Sequence, residues 1–285
     1  MLKTRVITAL VILPIILLAL FLAPDAGWAL FTLGIAAVAC WEWSRLCQFS
    51  LLEAAVYLTA SALVAITVIL IYQFSPGSFR SLAQYGFIIA TVFWLLAAPC
   101  WLMTLWRPRS KLVAAVTGWI VILPTWLALL YLHDVSPWLL LSFAAIVWVA
   151  DIAAYFTGKK FGKRKLALAI SPGKTLEGAM GGLLGVTGYF FLWQWLLNNT
   201  FVGQHTWAQA LRANLPTLFG FFMLLAVLSI LGDLFESWMK RGARMKDSSN
   251  LLPGHGGFLD RIDALTSTLP VAGLYTLWVL SQATP

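Results

Sequence analysis

Long apolar runs separated by short polar connections dominate the chain. Nine of them approach or reach the ~20 residues that a helix needs to cross a bilayer: 6–23, 27–43, 54–74, 82–104, 112–132, 137–157, 176–197, 215–236 and 262–280. In hydrocarbon, each backbone N–H and C=O must be paired within its own segment, so all nine are expected to be helices. The pattern therefore predicts an all-α, polytopic integral membrane protein with about nine transmembrane helices. No soluble domain, internal repeat or low-complexity tail is visible. The first run follows Lys3 and Arg5 much as a signal peptide would, but Pro24 and Asp25 make a poor cleavage site. It is read as an uncleaved first helix.

Composition strengthens this picture. Of 285 residues, 61% are hydrophobic and 11% charged, against roughly 25% charged in soluble domains; a soluble enzyme is excluded. The net charge of +8 would suggest nucleic acid in a soluble protein, so its distribution decides its meaning. Alternate connections carry 17 Lys and Arg on the side of the N-terminus and only Arg80 and Arg212 on the other. Such an imbalance predicts a cytoplasmic N-terminus and a C-terminus outside. The same count gives 9 acidic residues inside and 2 outside, so the whole excess charge faces the cytoplasm. No nucleic-acid partner is expected. Cys40, Cys47 and Cys100 form no metal-binding spacing and are read as small buried residues. The 15 tryptophans are read mostly as anchors at the membrane interfaces.

Carboxylates point to the chemistry. Seven of the 11 acidic residues (Asp151, Glu177, Asp233, Glu236, Asp247, Asp260 and Asp263) lie in or at the cytoplasmic ends of the last four spans. Ionisable groups within spans are costly and mark function. On the eighth span Asp233, Glu236, Ser237 and Lys240 share one helical face; a structural ion pair is the plainer alternative. Beyond it Pro253, Gly254, Gly256 and Gly257 preclude a regular helix and expose N–H groups that suit phosphate. Asp260 and Asp263 share a face at the start of the ninth span. They suit either the helix N-terminus or Mg²⁺ bridging to substrate phosphates. His255 is open between phosphate ligand, acid–base group and plain loop residue.

Gly173-Lys174-Thr175 is not a Walker A motif, because residue 168 is leucine where that motif needs glycine. Ser171, Lys174, Thr175 and the following helix start could still hold a phosphate. The five cations at 159–165 read as an anionic-lipid contact or a topology signal rather than part of the site. Asp151 lies about two turns inside the sixth span with Tyr155 one turn on. The glycines at 178, 181, 182, 185 and 188 read as a close-packing stripe.

The segment from Ser237 to Asp263 resembles the signature of the CDP-diacylglycerol synthases, or phosphatidate cytidylyltransferases, of bacterial type. Ser237, Lys240, Arg241, Lys246, Asp247, Pro253, His255, Gly256, Gly257, Asp260, Arg261 and Asp263 all stand at the family spacing. Residues 151–158 and 171–175 are also similar, and the N-terminal helices match only in length and in Glu42-Trp43. The resemblance implies a nucleotidyltransferase of phospholipid biosynthesis in the bacterial inner membrane, with its active site facing the cytoplasm. CTP and phosphatidic acid would give CDP-diacylglycerol and pyrophosphate with Mg²⁺, a second cation being left open. On that reading Asp260 and Asp263 hold Mg²⁺ with Asp233 completing the cluster. Lys240, Arg241, Lys246 and Arg261 hold the triphosphate and lipid phosphate, and His255 and Asp247 join the catalytic set. Asp151, Tyr155, Ser171, Lys174, Thr175, Glu236 and Ser237 line the substrates, with Asp151 and Asp247 orienting cations or binding metal.

Residues 1–135 are expected to form a scaffold with lipid and oligomer contacts. Residues 136–285 would be the catalytic region, with cytoplasmic loops 158–175 and 237–261. Membrane lipids and a second copy of the chain are the further expected partners. A transporter is disfavoured, since those bind near the midplane and often show repeats. A nearer rival is another CTP-using lipid enzyme, such as a polyprenol kinase.

Overall fold

The computed structural model describes residues 2–108 and 110–283. Among the basic residues counted above, Arg109 and the side chains of Lys3 and Arg5 lie outside the described residues. Each apolar run coincides with a helix: α1 (Leu2–Leu22), α2 (Asp25–Leu46), α3 (Leu51–Phe74), α4 (Pro76–Val92) continuing through a π-turn (Phe93–Ala97) into α5 (Ala98–Thr104), α6 (Lys111–Val135) and α7 (Pro137–Phe161). After a hairpin come α8 (Leu176–Asn199), a short α9 (Thr206–Arg212), α10 (Leu215–Gly242) and α11 (Leu259–Ala283). Among the described residues, eight helices are long and apolar enough to cross a membrane, and α1 carries a shorter apolar stretch, Leu10–Leu22. The protein is an all-α, multi-pass membrane protein.

Most helices outrun their apolar cores, and the polar residues ahead of them explain why. Ser50 and Glu53 form a reciprocal capping box that starts α3, pairing N–H groups that the first turn leaves free. Ser136 caps α7 ahead of Pro137, Thr175 caps α8 and Asn214 caps α10. The π-turn falls where Phe93 and Trp94 pack edge-on against Phe235 of α10, at ring separations of 5.5 and 5.4 Å. Hydrophobicity alone did not reveal three pieces. These are the antiparallel hairpin of β1 (Lys165–Ala167) and β2 (Ser171–Thr175), a 3₁₀ turn at Phe201–Gln204, and α9.

Two expectations need correction. Trp28, Trp43, Trp94, Trp126, Trp193, Trp207 and Trp238 are core residues rather than interface anchors. Several use the indole N–H to tie helices together: Trp43 donates to the Ala114 carbonyl at 2.9 Å and Trp28 to the Leu129 carbonyl at 3.0 Å. A buried indole N–H usually finds such a partner; those of Trp94, Trp207 and Trp238 have none among the described residues. Of the cysteines, Cys40 is buried but Cys100 is exposed. Burial pushes the Cys47 thiol up to about 12, so it stays protonated.

Two seams position the site. Along α7 and α8 the glycine stripe lets backbones meet: a Cβ on Gly178 would lie 3.0 Å from the Ala154 carbonyl, one on Gly182 3.1 Å from the Ala150 carbonyl, and one on Gly181 inside Thr157. The other seam is α11, whose residues 266–272 are all buried and which packs on α10, α6 and α4. The helices before residue 136 and those after it therefore share one bundle.

Gly181→Val should overfill the α7–α8 seam and destabilise the protein by about 1–3 kcal/mol, seen as a lower midpoint of thermal unfolding in detergent. Gly188→Ala, where a Cβ meets nothing within 4 Å, should leave that midpoint unchanged or raise it.

Candidate active site

Close backbone approach sets the geometry. Gly232 of α10 faces α11 so tightly that a Cβ there would lie 2.7 Å from the Asp263 carbonyl and 3.1 Å from the Ala264 Cα. Only glycine lets the two helices meet at this level, and the meeting sets Asp233 beside Asp263. The hairpin adds a cation from a third direction: Lys174 of β2 pairs with Asp233 at 2.5 Å. Ser237, one turn along α10, donates to the other Asp233 oxygen at 3.3 Å.

One turn further Lys240 pairs with Glu236 on its own helix and with Asp260 of α11 at 2.6 Å. All three side chains are nearly closed off, at 12%, 5% and 3% exposure. One cation between two carboxylates is tolerable there because Asp260 also accepts from Ser248 N–H (2.9 Å), the Ser248 hydroxyl (2.9 Å) and Gly257 N–H (2.8 Å). Charge-assisted bonds of this kind are the strong ones.

The family resemblance assigns Asp260 to metal and Lys240 to phosphate. In the structure Asp260 accepts from four donors, three of them on one carboxylate oxygen, and Lys240 lies between two carboxylates.

Asp151 faces the same cluster from α7, where its strongest charged neighbours are Asp233, then Lys174 and Arg261. Asp263 interacts in turn with Asp233, Lys240 and Lys174, and accepts a hydrogen bond from Ala264 N–H at 2.8 Å. Asp151, Asp233 and Asp263 are thus electrostatic neighbours with fewer donors than Asp260 has, although among the described residues their ligand atoms do not all lie within 4.8 Å of one another; carboxylate oxygens are the ligands that Mg²⁺ takes.

Between α7, α8, α10 and the hairpin lies a cavity of about 490 Å³. Asp151, Tyr155, Lys159, Ser171, Lys174, Thr175 and Asp233 supply its polar lining, and Ala150, Ala154 and Ile230 part of its apolar wall. Tyr155 makes no hydrogen bond to Asp151 but lies under the Lys159 ammonium, 5.8 Å from its ring centre. Thr175, expected to hold phosphate, is buried and accepts from Gly178 N–H at 3.1 Å as the α8 cap. Glu177 pins the approach to the hairpin by accepting from Lys163 N–H, Arg164 N–H and the Arg164 guanidinium.

Other expected residues sit at the rim of this core, Arg261 near enough to act on Asp151. Arg241, Lys246, Asp247 and Arg261 are exposed, and among the described residues none forms an ion pair. His255 is half-buried, with Nδ1 lacking a partner.

The residue that sequence reasoning missed is Glu42. It comes from α2, in the half expected to be scaffold, and has 0% exposure. Its carboxylate accepts from the Ser248 hydroxyl (3.1 Å), the Ser249 hydroxyl (2.5 Å), Phe258 N–H (3.0 Å) and Leu259 N–H (2.6 Å). It thereby satisfies amides that the first turn of α11 leaves free. Gly257 is required beside it, since a Cβ there would enter both Ser248 and the Glu42 carboxylate. Gly254 and Gly256 turn the loop at φ 76° and 83°. A carboxylate within an apolar span was the available signal; its partners lie more than 200 residues away in sequence.

With this geometry in place, comparison with known proteins identifies the class. The sequence model of the cytidylyltransferase family matches residues 3–279, and the chain belongs to that family of nucleotidyltransferases. Among its relatives, the phosphatidate cytidylyltransferase of Pseudomonas aeruginosa is 39% identical, with 100% of both chains covered. The phosphatidate cytidylyltransferase of Haemophilus influenzae is 34% identical, covering 98% of this chain and 100% of that one. The protein of the same name from Thermotoga maritima is 44% identical over 125 residues, 44% of each chain.

Glu42→Gln should turn an amide NH₂ toward donors and leave at least one without an acceptor, at about 1–3 kcal/mol. The expected result is faster proteolysis within residues 246–258 and loss of turnover, with membrane insertion retained; limited digestion of the purified variant checks it.

Proposed function

We propose that this chain is a phosphatidate cytidylyltransferase, transferring CMP from CTP to phosphatidic acid to give CDP-diacylglycerol and pyrophosphate. The observation that carries the reading is the cavity itself. Two carboxylates and two lysines line it at one end of an apolar helix bundle, beside walls of Ala150, Ala154 and Ile230. A charged nucleotide and a lipid phosphate both need such a place, half polar and half apolar. The full-length relatives named above support the same substrate pair.

In the proposed reaction a lipid phosphate oxygen attacks the α-phosphorus of CTP in line. A new P–O bond forms as the α–β bond breaks, and pyrophosphate leaves with its electron pair. The nucleophile is already anionic at neutral pH, so no general base is required. Lys174 and Arg261 offer positive charge to the phosphates, and Arg241 and Lys246 extend that field at the exposed rim. Ser171 offers a hydroxyl from the hairpin wall, and Tyr155 a phenol. Ser237 and Lys240 hold Asp233, Glu236 and Asp260 in place. Mg²⁺, when bound by Asp263 and Asp233 with Asp151 alongside, would neutralise charge on the phosphoryl oxygens.

The proposal extends to the membrane. Nine spans, a cytoplasmic N-terminus and a C-terminus outside would set the site on the cytoplasmic face of a bacterial inner membrane, and the division of 17 basic residues against 2 supports that orientation. Residues 1–135 would then serve as scaffold, with Glu42 as their contribution to the catalytic region of 136–285. Exposed apolar side chains of α3, such as Leu51, Leu52, Val56 and Leu63, suit lipid or a second copy in a homodimer.

Purified protein supplied with radiolabelled CTP, phosphatidic acid and Mg²⁺ should yield labelled CDP-diacylglycerol, and chelation should abolish it; label on another lipid would sink the assignment. Asp263→Asn should lower turnover at least 100-fold while the protein still inserts and melts normally. Asp260→Asn should instead lower the melting midpoint as well, because it releases Lys240, Ser248 and Gly257 together.

A further inference from the structure

A second cluster of ionisable groups sits at the opposite ends of the helices, far from the site above. Asp25 opens α2, whereas Glu42 lies near its other end; 17 residues of helix separate them, about 26 Å. Asp25, His133 and Asp134 each bring one ligand atom, and the three atoms lie within 4.8 Å of one another. Asp25 and Asp134 are the 2 acidic residues that the charge count assigns to the far side of the chain, and the fold brings them together.

His133 is the informative member. It is 7% exposed, and its Nε2 lies 3.0 Å from the Leu20 carbonyl of α1. A carbonyl can only accept, so Nε2 carries the proton and Nδ1 keeps its lone pair. Nδ1 is buried and has no hydrogen-bond partner. The ring is held flat against Trp28 at a centroid distance of 4.7 Å, and the Trp28 indole is itself fixed on the Leu129 carbonyl. A ring oriented through one nitrogen while the other stays free is the arrangement of a metal-ligating imidazole.

The carboxylates lack compensation of their own. Asp134 accepts from the Tyr72 hydroxyl at 2.6 Å, and nothing hydrogen-bonds the Asp25 side chain among the described residues. Asp25 suits the positive end of α2, but Asp134 lies in the last turn of α6, where the helix dipole already presents negative charge. Arg80 lines the same cavity of about 700 Å³, yet among the described residues it pairs with neither carboxylate. Two negative charges, a helix C-terminus and a free imidazole nitrogen leave room for a cation that takes both oxygen and nitrogen.

We propose that His133 Nδ1, Asp25 and Asp134 form a binding site for a divalent transition-metal ion, distinct from the catalytic centre. Two carboxylates with one imidazole favour an ion of borderline hardness such as Zn²⁺ over Mg²⁺, which prefers all-oxygen ligands. Bound there, the ion would clip the start of α2 to the end of α6, with α1 joined through the Leu20 carbonyl and α3 through Tyr72.

Zn²⁺ titration tests this on the full chain in detergent, stripped with chelator and then held in excess Mg²⁺. The wild type should bind one more equivalent of Zn²⁺ than Asp25→Asn or His133→Gln, each variant losing at least tenfold in affinity for that equivalent. Zn²⁺ should raise the thermal midpoint of the wild type and of Asp263→Asn, and not that of the two cluster variants. Equal stoichiometry and affinity in wild type and Asp25→Asn would overturn the proposal, as would a wild type that binds no such equivalent. Asp25 is exposed and unbonded, so its variant decides even if His133→Gln fails to fold.

Discussion

A carboxylate removed entirely from water must recover its lost hydration from donors inside the protein, or several kcal/mol of stability are forfeited. Glu42 meets that demand with donors drawn from a single stretch, residues 248–259. The dependence runs both ways. That stretch has few bonds of its own, the Leu252–Gly256 bridge, His255 N–H to the Leu252 carbonyl and Leu251 N–H to the Ser249 hydroxyl, whereas its serine hydroxyls and the amides of Ser248, Gly257, Phe258 and Leu259 end on Glu42 or on Asp260. Where Glu42 receives Leu259 N–H, α11 begins; four residues later, on the same helical face as Asp260, comes Asp263. The position of Asp260 and Asp263 is thus inherited from a residue on the second helix.

A second constraint works through absent side chains. Gly232 lets α10 and α11 meet at the level of Asp263, and the α7–α8 glycines let those helices close until Asp151 and the hairpin lysine reach the same space. Backbone contact between helices at two seams brings together groups that arise from four different segments. Lipid tails are as apolar as leucine, so packing and hydrogen bonding rather than hydrophobic burial must hold such seams.

Much of this was legible in the sequence, for reasons that can be stated. Helical spans show because the bilayer imposes both a length and a polarity, whereas the caps at Ser50, Ser136 and Asn214 that extend them emerge only from the structure. Asp233, Glu236 and Lys240 could be placed on one face because helical spacing is local. The role of Asp260 could not, since its donors on Ser248 and Gly257 depend on how a glycine-rich loop folds back. Glu42 stood out only as a carboxylate within an apolar span, because nothing local links it to its partners. The tryptophans were misassigned for a related reason: composition cannot tell an indole facing the headgroups from one donating to a neighbouring helix.

Some 206 residues separate Glu42 from Ser248, and this distance gives the protein a history as well as a shape. During synthesis α2 emerges early, carrying a carboxylate whose partners do not yet exist. Only when the final helix starts to form do the donors arrive, and the loop, the Lys240 triad and the start of α11 can then settle together. A nascent or interrupted chain that stops short of residue 259 has most of its membrane helices but cannot assemble the centre. Activity is therefore tied to completion of the polypeptide, and a half-made chain in the bilayer does not become a half-active catalyst.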